Sequence, residues 1–393
     1  MKLKFPKIKN KKRFIILTII TILLATTAGA IIYFWPKAPV IYFNEEVILL
    51  DEEGNPIIIT AADRKPEFYN ILVFGEDKGG SNTDTIMLFS LDVQNNKYNL
   101  MSIPRDTMAN VSRYNKKINA AYSYGGIDNF YKELSDLIGF KPDRYIIVSM
   151  SGFERIINAM GGIDIDVAQN MKYSDPTQGL YINFQKGMQH MDGKQALEYV
   201  RFRSYPEGDV DRIRVQQGFV QAVVEKMRQP GNIIKIPTLI KECFDAIETD
   251  MTVNELLWLA SKAKNISDND QLESVLLPGY AHYYGGLSYY IPSGSEIVTT
   301  VNERFNPYTK TISSVNIVNF PAMLAQEQAD NERRSAAEEA EALAREQEAL
   351  EHEMVPDDTV DVLPDPEPIP DPALVPPEET EETPAPMSAE GEE

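Results

Sequence analysis

Residues 70–106 read NILVFGEDKGGSNTDTIMLFSLDVQNNKYNLMSIPRD, and this stretch decides the fold. It contains three short apolar runs that are typical of β-strands, namely Ile71–Phe74, Thr85–Leu91 and Tyr98–Ser102. A turn at Gly75–Asp77 follows the first run, and Pro104–Asp106 follows the last. Carboxylates and a guanidinium are therefore delivered to the ends of neighbouring strands, where we expect the functional site.

Strand-like and helix-like segments continue to alternate from residue 68 to about residue 305. The further predicted elements are helices near Ile127–Leu137 and Gly152–Met160, strands at Tyr145–Ser149 and Ile163–Val167, and helices at Gln216–Met227 and Val253–Ala263. Alternation of this kind is typical of layered α/β domains. We therefore predict a layered α/β/α sandwich with a central mixed sheet over residues 68–320.

The N-terminal region indicates a membrane anchor. Residues 1–13 carry seven basic and no acidic residues, and the uncharged apolar run 14–35 is long enough to span a bilayer. The alternative is a cleaved signal peptide, because Ala28–Ala30 resembles a cleavage site. The run continues to Trp35, which favours a transmembrane helix. Residues 1–13 are then cytoplasmic, and the protein is a single-pass protein of the cell membrane with an extracellular catalytic domain.

The segments that flank the predicted domain differ strongly in charge. Residues 36–67 are predicted to form a membrane-proximal stalk, with a hairpin at Val40–Thr60. From Pro321 onward there are 23 acidic and three basic residues, so this region holds −20 of the total net charge of −21. We predict an Ala/Glu-rich helix or coil over residues 321–353 and a disordered tail over residues 354–393. The remainder is nearly neutral, and we expect no nucleic acid among its partners.

Two carboxylates suggest a divalent cation. Asp77 follows the first strand of the quoted stretch, and Asp84 opens the second. Oxygen ligands suit Mg²⁺, which usually also needs substrate phosphate to complete its coordination. The alternative is a solvated turn, because Asp and Gly are common in turns. The single cysteine, Cys243, and three scattered histidines give neither a disulfide framework nor zinc-ligand spacing.

Arginines near these carboxylates suggest a phosphate-bearing substrate. Arg201 and Arg203 are two residues apart and would face the same side of a strand, where they can hold a pyrophosphate or lie in water. On the helix that follows, Gln216 or Gln217 can share a face with Arg212. The chain has no Walker A sequence, Rossmann fingerprint or Ser-centred elbow, which argues against nucleotide-dependent and acyl-transfer chemistry.

The order of these motifs resembles the LytR-CpsA-Psr family of cell-wall ligases. The motifs that carry the resemblance are Gly75–Asp77, Asn82–Thr85, Ser102–Asp106, Lys117–Tyr122 with Gly125 and Gly126, Gly152–Phe153, Gly161–Ile163, Ala196–Arg203 and Asp209–Gln217. The resemblance implies transfer of a polyprenyl-pyrophosphate-linked glycopolymer, such as a teichoic acid or capsule polymer, onto peptidoglycan with the help of Mg²⁺. A polyprenyl-pyrophosphate hydrolase and a non-catalytic lipid-binding wall scaffold are the alternatives.

The resemblance also implies roles for individual residues. Asp77 and Asp84 would bind Mg²⁺, and Asp77 or Asp106 would take a proton beside Arg105. The implied pyrophosphate ligands are Arg105, Lys117, Arg201, Arg203, Arg212, Gln216 and Gln217. Two positions depart from the family pattern, because Asn82 replaces an arginine and Val215 stands where a second helical arginine is usual, with Arg214 one residue earlier.

The lipid part of such a substrate needs an apolar tunnel. The apolar segments Ile233–Ile240 and Leu256–Ala260 are candidates for its walls. Ordinary core packing explains the same segments equally well.

Overall fold

The computed structural model describes residues 36, 38–41, 47–50, 55–76, 83–177, 179–205, 209–263 and 272–353. The predicted cytoplasmic segment 1–13, the predicted transmembrane helix 14–35 and the tail 354–393 lie outside these ranges, as do Asp77 and Asn82. Among the residues described, no helix is both long and apolar enough to cross a membrane.

The described strands, in chain order, are β1 (Val47–Leu50), β2 (Pro56–Ile59), β3 (Phe68–Glu76), β4 (Thr83–Asp92), β5 (Lys97–Ile103), β6 (Arg144–Val148), β7 (Ile163–Val167), β8 (Met171–Asp175), β9 (Leu180–Phe184), β10 (Gly187–Met191), β11 (Ile247–Thr249), β12 (Leu272–Leu276), β13 (Gly279–Tyr284) and β14 (Leu287–Pro292). The described α-helices are α1 (Ala121–Ile138), α2 (Met150–Ala159), α3 (Gly193–Arg201), α4 (Asp209–Arg228), α5 (Pro230–Ile233), α6 (Ile236–Cys243), α7 (Val253–Ala263), α8 (Gly294–Arg304) and α9 (Phe320–Glu353).

Six strands form the central sheet, in the order β11-β6-β3-β4-β5-β12. The pairs β3-β6 and β5-β12 are parallel, whereas β3-β4, β4-β5 and β6-β11 are antiparallel. The sheet is therefore mixed, as predicted. The three strands expected in the quoted stretch are confirmed and lie within β3, β4 and β5.

Side chains alternate between the two faces of this sheet, which follows from the two-residue period of a strand. One face buries Leu72, Phe74, Leu88 and Met101 in a large core to which α1 and α8 also contribute. The opposite face directs Val73, Met87, Phe89 and Leu100 towards apolar side chains of α4 and α7. Helices on both faces confirm the layered α/β/α arrangement.

A second, smaller layer lies beside the sheet and is built from short antiparallel pairs. Strand β7 pairs with β10, and β8 pairs with β9. Their buried side chains join those of α2, α3 and Phe219 of α4 in one apolar cluster. This cluster positions α2, α3 and α4 opposite the sheet, so it determines how far these helices lie from the strands.

The flanking segments also contain regular structure. Strands β1 and β2 form the predicted antiparallel hairpin, and Ile59 of β2 is fully buried in the core of the first sheet face. The hairpin region therefore contributes to the core of the domain. The chain divides into two compact units, residues 1–321 and 322–393. In the described part of the second unit, α9 supplies a helix where helix or coil was predicted.

Candidate functional site

The strand directions bring the predicted site residues to one edge of the sheet. Strand β4 runs antiparallel to both β3 and β5, so the start of β4 lies beside the ends of β3 and β5. Gly75 pairs with Thr85, and Ile86 pairs with Ile103. Glu76, Asp84 and Arg105 consequently lie at the same edge.

A chain of ion pairs follows this edge. The Asp84 Oδ1 atom lies 2.7 Å from Nη1 of Arg105 and 3.4 Å from Nη2 of Arg203. On the other side of Arg105, the Oδ1 atom of Asp106 lies 4.0 Å from the Arg105 Nε atom and 3.0 Å from the Lys117 Nζ atom. Predicted carboxylates and cations from four separate segments therefore meet in one row.

The prediction that Arg201 and Arg203 lie on a strand is wrong. Arg201 is the last residue of α3, which begins with a capping box formed by Asp192 and Gln195. Phe202 ends the helix in an extended conformation and is itself buried. The helix forms because residues 193–201 place Ala196 and Tyr199 on one buried face. Both arginines still reach the same cavity, one on each side of Phe202.

The polar residues of α4 face two different surroundings, because some line the cavity and others contact the sheet. Arg212 is only 4% exposed and lines the cavity with Gln216, whose Nε2 atom donates to the Val200 carbonyl at 3.3 Å. Gln217 faces β5 and β12, because its Nε2 atom donates to Ser102 Oγ and to the Val275 carbonyl. Only the first of the two glutamines is therefore placed as a direct ligand.

The departure at Val215 is also resolved by the structure. Val215 packs against the apolar cluster that strands β7–β10 share with α2 and α3, and Arg214 forms an ion pair with Asp211 at 2.9 Å. The Arg214 side chain is 62% exposed. A one-residue shift turns a side chain by about 100° around a helix, so Arg214 does not replace the arginine that Val215 displaces.

An apolar cavity of about 410 Å³ lies between the second face of the sheet and helices α2, α3 and α4. Its walls are lined by side chains such as Val73, Met87, Phe89, Phe153, Phe219 and Val223. Its polar lining residues include Glu76, Asp84, Arg201, Arg203, Arg212 and Gln216. A volume of this size suits a small-molecule or lipid ligand, since ligand sites typically occupy roughly 300–1,000 Å³.

The proposed tunnel segments are not the walls of this cavity. Leu256 packs with Ile71 and Met251, and Ile240 packs against the same cluster. Leu239 is buried in the apolar cluster that strands β7–β10 share with α2 and α3. The walls were not predicted because they combine the second face of β3 and β4 with side chains of α2, α3 and α4, which lie far apart along the chain.

The carboxylates at the cavity are suitable ligands for Mg²⁺, but they do not define its coordination geometry. Mg²⁺ is commonly held by one or two carboxylates together with substrate phosphate oxygens. Asp84 supplies one carboxylate at the cavity, and Asp77, the predicted second ligand, lies outside the described residues. Glu76, which was not predicted, is a further carboxylate at the same place. Within the described part of the chain, no group of three metal-ligating side chains occurs.

These features define an α/β domain in which a cationic, partly acidic edge opens on an apolar cavity. The sequence pattern of the LytR_cpsA_psr family matches residues 49–306, and the chain belongs to this family.

Comparison with characterised sequences and structures agrees with this assignment. The chain is 37% identical over 174 residues to regulatory protein MsrR of Staphylococcus aureus (strain COL), which covers 43% of this chain and 52% of MsrR. It is 34% identical over 210 residues to polyisoprenyl-teichoic acid--peptidoglycan teichoic acid transferase TagV of Bacillus subtilis (strain 168), which covers 50% of this chain and 53% of TagV. The chain thus spans about half the length of these two relatives.

The fold is likewise shared with a solved structure. The crystal structure of B. subtilis TagV superimposes with a TM-score of 0.53 at 29% identity, and the match covers 60% of this chain and 95% of that one. The mixed-sheet architecture is therefore the architecture of this family.

Proposed function

We propose that the protein transfers a polyprenyl-pyrophosphate-linked wall glycopolymer, such as a teichoic acid or capsule polymer, onto peptidoglycan. The observation that carries the proposal is the cavity, which combines apolar walls with Arg201, Arg203 and Arg212. A polyprenyl pyrophosphate has this same division, with a long apolar chain attached to a compact anion. The name of the relative TagV, a teichoic acid transferase, supports the same class of reaction.

The guanidiniums hold the pyrophosphate in this proposal. Arg201, Arg203 and Arg212 line the same cavity as the apolar walls, so they bind the phosphates while the lipid chain contacts those walls. Arg105 lies next to them, on the other side of Asp84. Fixed positive groups stabilise the charge that builds up on the phosphoryl oxygens during transfer.

The reaction is a substitution at phosphorus. A hydroxyl oxygen of peptidoglycan forms a bond to the phosphorus nearest the glycan, and the bond from that phosphorus to the bridging oxygen breaks. Polyprenyl phosphate leaves, and the hydroxyl proton passes to Asp106, with Asp77 as the alternative acceptor. Lys117 holds the Asp106 carboxylate from 3.0 Å and fixes its position. The pyrophosphate itself supplies the driving force.

Mg²⁺ is part of the proposal as a cofactor. Asp84 and Asp77 would hold it, and when bound it supplies positive charge beside the phosphate oxygens. The ion pairs of Asp84 with Arg105 and Arg203 orient the carboxylate for this role.

We further propose that residues 14–35 anchor the protein in the cell membrane and that the catalytic domain is extracellular. The seven basic residues before residue 14 support this orientation. Protease added to intact cells should remove the region after Phe320, and protection of that region would contradict the orientation.

Incubation of the full chain with a polyprenyl-pyrophosphoryl oligosaccharide and peptidoglycan, with and without Mg²⁺, tests the proposed reaction. Glycan linked to peptidoglycan and polyprenyl phosphate should appear in equal amounts. Free glycan in place of linked glycan would identify a hydrolase. Tight lipid binding without either product would identify a scaffold.

A further inference from the structure

Two exposed tyrosines lie close along the chain to Lys117, the last member of the row of ion pairs. Tyr114 is 82% exposed and Tyr124 is 62% exposed. Tyr114 precedes Lys117 in the loop before α1, and Tyr124 lies in the first turn of α1. A tyrosine offers an apolar ring with a polar hydroxyl at one end and is enriched at binding interfaces, so two of them beside the row make this part of the surface a candidate binding surface. We call Tyr114 and Tyr124 the tyrosine platform.

The loop that carries Tyr114 is firmly held although its tyrosine is exposed. Arg113 binds the buried Glu133 through both terminal nitrogens and donates to the carbonyl oxygens of Asn115 and Lys117. The hydroxyl of Tyr289 lies 3.4 Å from the Tyr114 carbonyl oxygen and 3.4 Å from the Lys116 nitrogen. A ring displayed on a fixed loop loses little conformational entropy when it binds a ligand.

Tyr124 is presented in a similar way. The Arg113 guanidinium lies 4.9 Å from the centre of the Tyr124 ring and covers part of it. Immediately after Tyr124, Gly125 and Gly126 depart from helical geometry, and Gly126 has a φ of +64°, which favours glycine. The kink separates this first turn from the regular part of α1, and the Arg113 residue that contacts the Tyr124 ring is the chain neighbour of Tyr114.

The platform is continuous with the proposed reaction centre. Lys117 contacts Asp106 at 3.0 Å and lies 5.7 Å from the centre of the Tyr289 ring, whose hydroxyl donates to the Tyr114 carbonyl oxygen. The Asn119 nitrogen donates to the Arg105 carbonyl at 3.1 Å. Neither tyrosine lines the apolar cavity. The row that runs from Arg203 through Asp84, Arg105 and Asp106 therefore leads from the cavity to the platform.

We infer that the tyrosine platform binds the glycan strand of the peptidoglycan acceptor. This inference rests on the proposed function. In an in-line substitution the entering hydroxyl approaches opposite the leaving group. The leaving polyprenyl phosphate belongs to the cavity, so the acceptor sugar lies on the opposite side, beside Asp106. The apolar C–H face of a sugar ring packs on an exposed tyrosine ring, and the sugar hydroxyls remain available to Lys117 and to water.

Binding of peptide-free peptidoglycan oligosaccharides to the full chain, measured without donor lipid, tests the inference directly. The double variant Tyr114→Ala/Tyr124→Ala should bind the oligosaccharides about tenfold more weakly, because two ring contacts are lost. The Tyr114→Phe/Tyr124→Phe variant keeps both rings and should bind nearly as the parent does. Tyr181→Ala, an exposed tyrosine on β9, is the matched control and should have no effect.

Two further measurements separate this inference from the proposed function. Binding of a polyprenyl-pyrophosphoryl disaccharide should be unchanged in the double alanine variant, and the KM for peptidoglycan should rise about tenfold with little change in kcat. Unchanged oligosaccharide binding would overturn the inference, as would a loss confined to the donor disaccharide. A parent protein that binds oligosaccharides through the tyrosines but transfers no glycan would refute the proposed function and leave the platform standing.

Discussion

The two faces of the central sheet carry similar apolar side chains but meet different surroundings. On the first face, Leu72, Phe74, Leu88 and Met101 are fully buried in a packed core. On the second, Val73, Met87 and Phe89 line an open cavity of about 410 Å³. Apolar character alone therefore does not distinguish a core from a ligand site; the position of the opposing helices does.

The cavity remains open because contacts outside the cavity hold α2, α3 and α4 in place. Gln217 ties α4 to Ser102 of β5 and to the carbonyl of Val275 in β12. Helices α2 and α3 pack with the small strands in a separate cluster. Protein interiors are normally close-packed, and an unfilled apolar space costs stability. We interpret this space as retained for the lipid chain of the proposed substrate.

Substitution of one phenylalanine packed against each face of the sheet should give the largest effect, which is on the free energy of unfolding. Phe130 of α1 is fully buried and stacks on Phe74 at 5.0 Å, so Phe130→Ala should lower the free energy of unfolding by about 3–5 kcal/mol. Phe153 of α2 is only partly buried and already borders the cavity, so Phe153→Ala should cost less than Phe130→Ala but weaken binding of the donor lipid. Urea unfolding of both variants measures the difference, and equal losses would remove the distinction between the faces.

The arginines at the cavity should have the next largest effect. Charge-assisted contacts contribute about 1.5–3 kcal/mol, so Arg201→Ala should slow glycan transfer at least about tenfold. Arg201→Lys keeps the charge but loses the planar fork, and it should recover only part of the rate. Arg214→Ala is the control, because Arg214 is exposed and paired with Asp211. Parental rates in both Arg201 variants would place the pyrophosphate elsewhere.

Substitution of a proposed Mg²⁺ ligand should have a smaller effect on transfer than substitution of Arg201. Asp84→Asn keeps the size of the side chain but removes its charge, so the response of the transfer rate to added Mg²⁺ should fall and turnover should drop. Asp92→Asn, at the other end of β4, is the matched control and should retain the parental Mg²⁺ response. Parental turnover in the presence of a chelator would show that the reaction needs no divalent cation.

Truncation after Phe320 should have the smallest effect. The region beyond it carries −20 of the net charge of −21, and residues 322–393 form a compact unit of their own. Phe320 is kept because its ring contacts those of His282 and Tyr284. The truncated protein should melt cooperatively near the parental temperature and transfer glycan at the parental rate. Loss of the cooperative transition would show that the tail supports the fold.

Part of the site could be predicted from sequence because it depends on strand ends. Asp84 and Arg105 follow directly from the strands of the first quoted stretch, and the structure brings them within 2.7 Å. The conformation around Arg201 and Arg203 was predicted wrongly, because a two-residue spacing fits a strand as well as a helix end followed by extended chain. The capping pair Asp192 and Gln195 was the local signal for the helix.

The sequence by itself determined the strands β3 to β7, the order of the motifs and the family to which the chain belongs. Those features depend on local periodicity and on residues close together along the chain. Only the tertiary structure decided that Gln216 faces the cavity while Gln217 ties α4 to the sheet, and that Arg214 faces solvent. It also decided which sheet face is packed and which is open, because that depends on distant helices and on the small strands that hold them.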